Sequence, residues 1–289
     1  MLESFELNWF LIDTDDQGDL NKTRGIKELK HIILKWFSPD EIDNMLFTHS
    51  LFLISFWVLN KLDETLSEEL RQTVYLAPLR STAERYYRNQ NLSVEVVDFR
   101  GQNLPMYLSG LKKEKRDKLA EWTKQYFGFS LDLAIEEGHT SLMIQEQGKR
   151  FNLADVGFGY SQLLPIIIDL WDILERKSDQ PIQKTIVIEQ PELHLHPKMQ
   201  AQLIDLIIET ITNKELAGKV KIIIETHSQT MVNWIGVKIY RRLISPSDVG
   251  IYTFEKSPKD GSTSINMTVF SEDGFLQNWP IDFFEPDER

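Results

Sequence analysis

The second half of the chain alternates between short continuous apolar runs and amphipathic stretches. Ile186 to Ile188 and Ile222 to Ile224 are uninterrupted β-branched runs, which are typical of strands buried on both faces of a parallel sheet. The stretch between them carries apolar residues at helical spacing and predicts a crossover helix that packs on the sheet, with the apolar face formed by Met199, Leu203, Leu206 and Ile207. The predicted elements are a helix over 161–176, a strand over 185–189, a helix over 198–212 and a strand over 220–225.

The first quarter of the chain shows helical spacing over residues 26–72. Ser38-Pro39-Asp40 breaks the pattern, and a second helix is predicted over 41–61, with a short third stretch ending near Arg71. The most apolar run, Leu51 to Leu59, is about half as long as a bilayer span. We interpret it as the buried side of a core helix.

The remaining segments complete an α/β pattern. Predicted are a strand over 73–77, a loop over 81–91, a helix over 104–127, a hairpin of 130–136 and 140–145, and a C-terminal meander of 251–256 and 264–270. We therefore expect two regions, a helical region over 1–72 and an α/β core with a parallel sheet over 73–289.

Composition indicates a globular protein. Apolar residues make up 42% of the 289 residues and the net charge is −12, which argues against wrapping nucleic acid with the whole surface, although a local basic patch stays compatible with DNA. The chain has no cysteine, so disulfides and thiolate chemistry are excluded. Residues 1–10 lack a basic region of the secretory type, and we expect a cytoplasmic protein without a membrane segment.

Two predicted strands end in residues that suit phosphate chemistry. Glu189 closes the first of them, in the segment Thr185 to Pro197, and a carboxylate at the C-terminal end of a parallel strand can hold Mg²⁺ that bridges nucleotide phosphates. His227 follows the next strand and can reach the same site, where it could hydrogen-bond a γ-phosphate or the attacking water.

A glycine-rich segment opens the helix predicted over 161–176. Glycines before a helix expose backbone N–H groups to an anion, and the residues concerned are Gly157, Gly159, Ser161 and Gln162. Pro165 is expected in the first turn, where proline costs little.

Together, these segments resemble the second half of the ATP-binding-cassette ATPases of the Rad50, SMC and overcoming-lysogenisation-defect kind. The chain also resembles a group of prokaryotic AAA-type proteins that end in a similar tail. In this sequence the tail extends from Asp273 to Phe284 and contains the pairs Trp279-Pro280 and Phe283-Phe284. The similarity covers about 73–289, with the three motifs in the family's order. The resemblance implies an ATPase that uses ATP and Mg²⁺ and works as a homodimer or with a partner subunit, with DNA or a nuclease as a further partner.

The resemblance also implies roles for single residues. Glu189 corresponds to the Walker B acid and metal ligand, Gln190 to the catalytic glutamate position, and His227 to the switch histidine. The segment Leu193 to His196, with His194 as a nucleotide contact, resembles the D-loop that faces the partner subunit. Gly157 and Gly159 fall in the signature motif that contacts the γ-phosphate of the opposite subunit; Leu79-Arg80 resembles a recurrent element without an assigned role.

The sequence departs from the family pattern at three places. Gln190 cannot accept a proton near neutral pH, so Glu192 is the alternative base. Gly157 occupies the position where the family's signature motif usually has a serine, so the hydroxyl donor of that serine is absent. The sequence contains no Gly-x-x-x-x-Gly-Lys-Ser/Thr phosphate loop, and the Lys22-Thr23 pair is interpreted as an ordinary loop. Walker A would have to come from elsewhere, and we expect the chain alone to be inactive as an ATPase.

The sequence is compatible with three functions. The first is the ATPase module, in DNA repair or phage defence. The second is a non-catalytic interaction subunit that keeps the ATPase fold. The third is a metal-dependent nuclease or hydrolase whose ligands would be Glu189, Glu192, His194 and His196, since alternating histidines can bind zinc.

Overall fold

The computed structural model describes residues 38–88, 94–136, 138–175, 184–257 and 259–279. The chain divides into two compact units, Met1–Glu69 and Leu70–Arg289. The helical pattern predicted for 26–37, the Lys22-Thr23 loop and the end of the tail after Trp279 lie outside the described residues.

Helix α1, Pro39–Arg71, carries the first described residues. Ser38 and Glu41 form a capping box at its start: the Ser38 hydroxyl accepts from the Glu41 N–H at 3.3 Å, and the Glu41 carboxylate accepts from the Ser38 N–H at 2.8 Å. The break predicted at residues 38–40 is therefore a helix start, whereas the two stretches predicted after it form one continuous helix.

The apolar run of α1 is exposed, and its interpretation as the buried side of a core helix is wrong for the described structure. Phe52 is 64% exposed, Trp57 66% and Leu59 63%. Eight of the nine residues from Leu51 to Leu59 are apolar, and nine consecutive residues extend round the whole circumference of a helix, so a single face cannot bury them all. No helix among the described residues is both long enough and apolar enough to cross a membrane.

The parallel sheet consists of β1 (Thr73–Leu76), β6 (Lys184–Glu189) and β7 (Val220–Glu225), in the order β1-β6-β7. Ile186 and Ile188 are fully buried. On the opposite face, Tyr75 and Ile223 lie on either side of Val187 and are 41% and 56% exposed. The prediction of burial on both faces is therefore wrong, because the described elements cover only one face.

Three helices follow the order expected of an α/β core. They are α4 (Phe158–Glu175), α5 (Pro197–Thr212) and α6 (Gln229–Tyr240). Leu203 and Leu206 of α5 are fully buried, which confirms the crossover helix. Helix α4 begins three residues before its predicted start, so Pro165 lies inside the helix and not in its first turn. An interior proline removes one helical hydrogen bond and costs about 3 kcal/mol.

Antiparallel strands complete the fold. Strands β3 (Ser130–Glu136) and β4 (His139–Glu146) form the expected hairpin, which β2 (Tyr87–Arg88) and β5 (Lys149–Asn152) extend along β4. The C-terminal sheet contains β8 (Ile251–Lys256), β9 (Thr263–Phe270) and β10 (Leu276–Gln277). The predicted α/β class, with a parallel sheet and a C-terminal meander, is confirmed.

One predicted helix is two in the structure. The segment 104–127 forms α2 (Leu104–Gly110) and α3 (Lys113–Phe127). Leu111 between them has an extended backbone, and its carbonyl accepts from the Arg116 guanidinium at 2.8 Å. The break follows Gly110, a residue of low helix propensity.

Candidate functional site

The candidate site lies at the C-terminal edge of the parallel sheet. Glu189 ends β6 and Glu225 ends β7, and the two residues are paired across the strands. The Gln190 N–H donates to the Glu225 carbonyl at 2.8 Å, which extends the pairing by one residue. Two carboxylates therefore stand side by side at the edge where α/β sheets bind ligands.

Glu189 is half-buried and close to a tyrosine on the neighbouring strand. Desolvation, a hydrogen bond to the Glu189 carboxylate and the charge of that carboxylate raise the pKa of the Tyr75 hydroxyl. The Glu189 side chain thus lies at the exposed face of the sheet. Tyr75 could not be recognised as a neighbour of Glu189 from the sequence, because contact between strands depends on register.

Glu192 fixes the turn that carries the predicted switch histidine. One carboxylate oxygen accepts from the Thr226 hydroxyl at 2.8 Å, and the other accepts from the His227 N–H at 2.7 Å. Hydrogen bonds to a charged acceptor are stronger than neutral ones. Both oxygens of the alternative base are therefore engaged with the turn, and its use as a base stays a prediction.

The His227 side chain is exposed at the start of α6. Ser228 caps this helix, since its hydroxyl accepts from the Met231 N–H at 3.1 Å and donates to the Gln200 side chain at 2.6 Å. The turn is thereby tied to α6 on one side and to α5 on the other. The imidazole is held at the sheet edge by its backbone and is open to a ligand.

The segment after Glu189 is a tight turn. Gln190 has a φ of 43° and His194 a φ of 61°, in the left-handed region that few non-glycine residues adopt. The Leu195 N–H donates to the Glu192 carbonyl at 2.9 Å. Strained backbone of this kind is often found at functional sites.

The two histidines of this turn have different contacts. The His194 ring is exposed and lies edge-on to Phe158, with 4.6 Å between ring centroids. The His196 Nδ1 accepts from the Lys198 N–H at 3.2 Å and caps α5. The described residues include no group of three His, Cys, Asp or Glu side chains that could hold a metal ion. The geometry thus gives no support to the metal-dependent hydrolase.

The glycine-rich segment packs against this turn. Gly157 is exposed, has a φ of 48°, and precedes α4. Gly159 lies in the first turn of α4, where an added Cβ would meet the His194 carbonyl oxygen at 2.6 Å. Helix α4 and the turn that follows β6 are therefore in direct backbone contact, which requires glycine at position 159.

The other two predicted nucleotide contacts are buried. The Ser161 hydroxyl donates to the Phe158 carbonyl at 2.8 Å. Gln162 is 0% exposed, and its amide accepts from the Arg80 N–H and donates to the Arg80 carbonyl, both at 3.0 Å. The structure thus leaves Gly157 exposed and Gly159 partly buried against the His194 carbonyl, and it directs Ser161 and Gln162 into the chain. The contact of these four residues with a nucleotide stays a prediction.

Arg80 has no role that could be assigned from the sequence, yet its side chain lies at the candidate site. Its side chain is 4% exposed and its Nη2 donates to the Glu189 carbonyl at 2.9 Å. Burial lowers the pKa of the guanidinium to about 10, and the charge of Glu192 acts in the opposite direction. The only sequence signal was the resemblance of Leu79-Arg80 to a family element.

The chain is similar to known proteins over parts of its length. Residues 57–232 match the AAA ATPase domain family, which is more than half of the chain. An 84-residue stretch is 36% identical to endonuclease GajA of Bacillus cereus (strain HuB5-5); it covers 27% of this chain, and the chain spans 12% of the length of GajA.

Two solved structures are more distant. One comes from a study of ATP-driven dimerization and DNA-stimulated activation of SMC ATPases, with 16% identity, a TM-score of 0.36, and coverage of 56% of this chain and 88% of that chain. The other is the Smc head domain of Pyrococcus furiosus bound to the C-terminal domain of ScpA, with 14% identity, a TM-score of 0.33, and coverage of 86% and 52%. The match over residues 57–232 shows that the chain belongs to the AAA ATPase domain family.

Proposed function

We propose that this chain is an ATP-binding-cassette-type ATPase module that completes its nucleotide site with a Walker A loop supplied by another lobe or subunit. The observation that carries the proposal is the sheet edge, where Glu189 lies beside Glu225 and Glu192 holds the turn of His227. These are the groups that the Mg²⁺ side of such a site needs.

The donor set fits Mg²⁺. This ion keeps several waters and is usually bound through one or two carboxylates together with substrate phosphates. Glu189 supplies one half-buried carboxylate at the strand end. Bound there, the ion would neutralise charge on the transferred phosphoryl group.

The other residues would orient the reactants. Gln190 can hydrogen-bond a water through its amide but cannot take its proton near neutral pH. His227 can donate to a phosphate or to that water from its fixed turn. The exposed start of α4, with Gly157, can offer backbone N–H groups to the γ-phosphate of an opposite subunit, while His194 of the turn would face the same partner. Slow hydrolysis is the expected consequence of the glutamine.

The pathway is part of the proposal. We place the module in ATP-driven work on DNA, in repair or phage defence, in the cytoplasm. Support comes from the 36% identity to an endonuclease over 84 residues, which makes DNA or a nuclease a candidate partner.

A second candidate is an interaction subunit that keeps the fold without nucleotide chemistry. Two observations favour it: Gln190 replaces the base, and both oxygens of Glu192 are engaged with the turn. Mg-ATP binding separates the two candidates.

Isothermal titration calorimetry tests the proposal. Mg-ATP is titrated into the full chain alone and into its mixture with a purified polypeptide that carries a Walker A lobe of this family. The ATPase module predicts tight binding in the mixture alone, and no appreciable hydrolysis by the chain alone. Absence of binding in both samples supports the interaction subunit. Robust hydrolysis by the chain alone that depends on Glu189 would refute the need for a second Walker A.

A further inference from the structure

Arg80 carries a buried positive charge whose hydrogen bonds are only partly satisfied. Its Nη2 reaches the Glu189 carbonyl, whereas its Nε and Nη1 are buried and have no hydrogen-bond partner among the described residues. A buried charge without full pairing is costly. Such a group in a native fold requires an explanation beyond packing.

The backbone of Arg80 is fixed to helix α4. Gln162 of α4 is fully buried, and its side-chain amide binds both the N–H and the carbonyl of Arg80. The guanidinium end of the same residue binds the last carbonyl of β6. Arg80 therefore connects the buried side of α4 to the peptide that carries the candidate metal ligand.

The connection continues from β6 to β7. Three residues after Glu189, the Glu192 carboxylate holds both the Thr226 hydroxyl and the His227 N–H. The charge of Glu192 also favours the charged form of Arg80. The cation thus lies on the inner side of the turn whose carboxylate anchors His227.

We infer that Arg80 is a positioning residue for the strand-end site: it fixes the Glu189–Glu192 turn to α4, so that Glu192 can hold His227 in place. It acts through Glu189 and Glu192 and touches no reactant. The functional meaning of this role rests on the proposed ATPase site, but the contacts themselves can be tested without nucleotide.

Amide hydrogen exchange of the full chain, followed by NMR, measures the effect directly. In Arg80→Met, the His227 amide should exchange about tenfold faster, as expected when a hydrogen bond to a charged group is weakened. The amide of Ile144, which is fully buried in β4, reports global unfolding and should be unchanged. Arg85→Met is the matched control, because Arg85 lies on the same loop but its side chain is exposed.

Two further variants separate positioning from general stability. Arg80→Lys keeps the charge without the planar guanidinium and should give an intermediate exchange rate at the His227 amide. The same variant replaces Arg80→Met in the test if Arg80→Met does not fold. In the Glu192→Gln background, Arg80→Met should have a smaller effect at His227, because the two residues act in sequence.

The outcomes are distinct. A His227 exchange rate that is unchanged in both Arg80 variants, or that rises by the same factor as at Ile144, overturns the inference. So does an Arg80→Met effect of undiminished size in Glu192→Gln. Failure of ATP to bind the assembled site would overturn the proposed function and leave these exchange rates as they are.

Discussion

Gly159 of α4 lies in close contact with the turn that follows β6, and the effect of a larger residue at this position can be predicted. In Gly159→Ala, the new Cβ would lie 2.6 Å from the His194 carbonyl oxygen. The obstacle is backbone, in a turn whose His194 already has a φ of 61°. A flexible side chain cannot move aside here, so α4 and the turn must separate.

The size of the effect follows from that distance. Ordinary contact begins at 3.4 Å, so the two segments must part by about 0.8 Å. Overpacking of this kind costs about 1–3 kcal/mol, whereas alanine in a helix gains about 0.5–1 kcal/mol over glycine. We expect Gly159→Ala to lower the free energy of unfolding by about 1–2 kcal/mol.

Urea unfolding measures this loss, and NMR locates it. The amides of Leu193 and Leu195 should shift in Gly159→Ala. The control is Gly157→Ala: position 157 has a φ of 48° and open space around it, so this variant should lose about 1–2 kcal/mol through backbone strain without shifts in the turn. A Gly159→Ala protein that is more stable than the wild type, with unchanged Leu195, would refute the reasoning.

Other elements provide three further predictions. Gly236→Ala places a Cβ 2.3 Å from a backbone carbonyl, so urea unfolding should show a loss of about 1–3 kcal/mol; a gain would contradict the contact. Asp205→Ala removes the 2.7 Å partner of the buried Lys238 ammonium and should cost about 1.5–3 kcal/mol by the same assay; an unchanged midpoint would show that the pair contributes nothing. Hydrogen bonds from Ser257 and a second serine lower the pKa of Asp260 to about 2, so its NMR-detected carboxyl titration should have a midpoint there. Any stability from this group is present above its unfolded pKa and lost as pH falls through about 2; a midpoint near 3.8 would contradict the assignment.

Much of the fold follows from local patterns. Continuous β-branched runs predict the strands around Ile186 and Ile222. The crossover helix and the hairpin of β3 and β4 are predicted from the period that burial of one face imposes on the sequence. The predicted start of α4 is three residues late because Gly157 and Gly159 have low helix propensity, and the prediction accordingly places Pro165 in the first turn. The chain begins the helix at Phe158 and accepts the interior proline.

An apolar pattern predicts which residues of a segment can be buried, but it does not predict which other part of the protein packs against them. The run from Leu51 to Leu59 and the face of Ile223 are apolar and exposed among the described residues. Their coverage depends on surfaces that periodicity does not encode. Both interpretations therefore failed for one physical reason.

The candidate site likewise contains residues that the sequence predicts and contacts that it does not. Glu189 and His227 are predicted from the sequence because a strand end fixes where each residue lies, whereas the role of Gln190 is implied only by the family resemblance. Arg80 and Gln162 are 82 residues apart in sequence, and their contact exists only in the folded chain. Likewise, the hydrogen bonds of Glu192 to the His227 turn appear only when β6 and β7 are paired.

The most direct test of the central claim is the Mg²⁺ dependence of ATP binding by the full chain assembled with a Walker A lobe. Glu189→Gln removes the carboxylate charge, and Glu215→Gln, at an exposed position, is the matched control. We expect tight, Mg²⁺-dependent binding in the wild type and in Glu215→Gln, and loss of the Mg²⁺ dependence in Glu189→Gln. Equal Mg²⁺ dependence in all three proteins would contradict the claim that this strand end holds the nucleotide-bound metal.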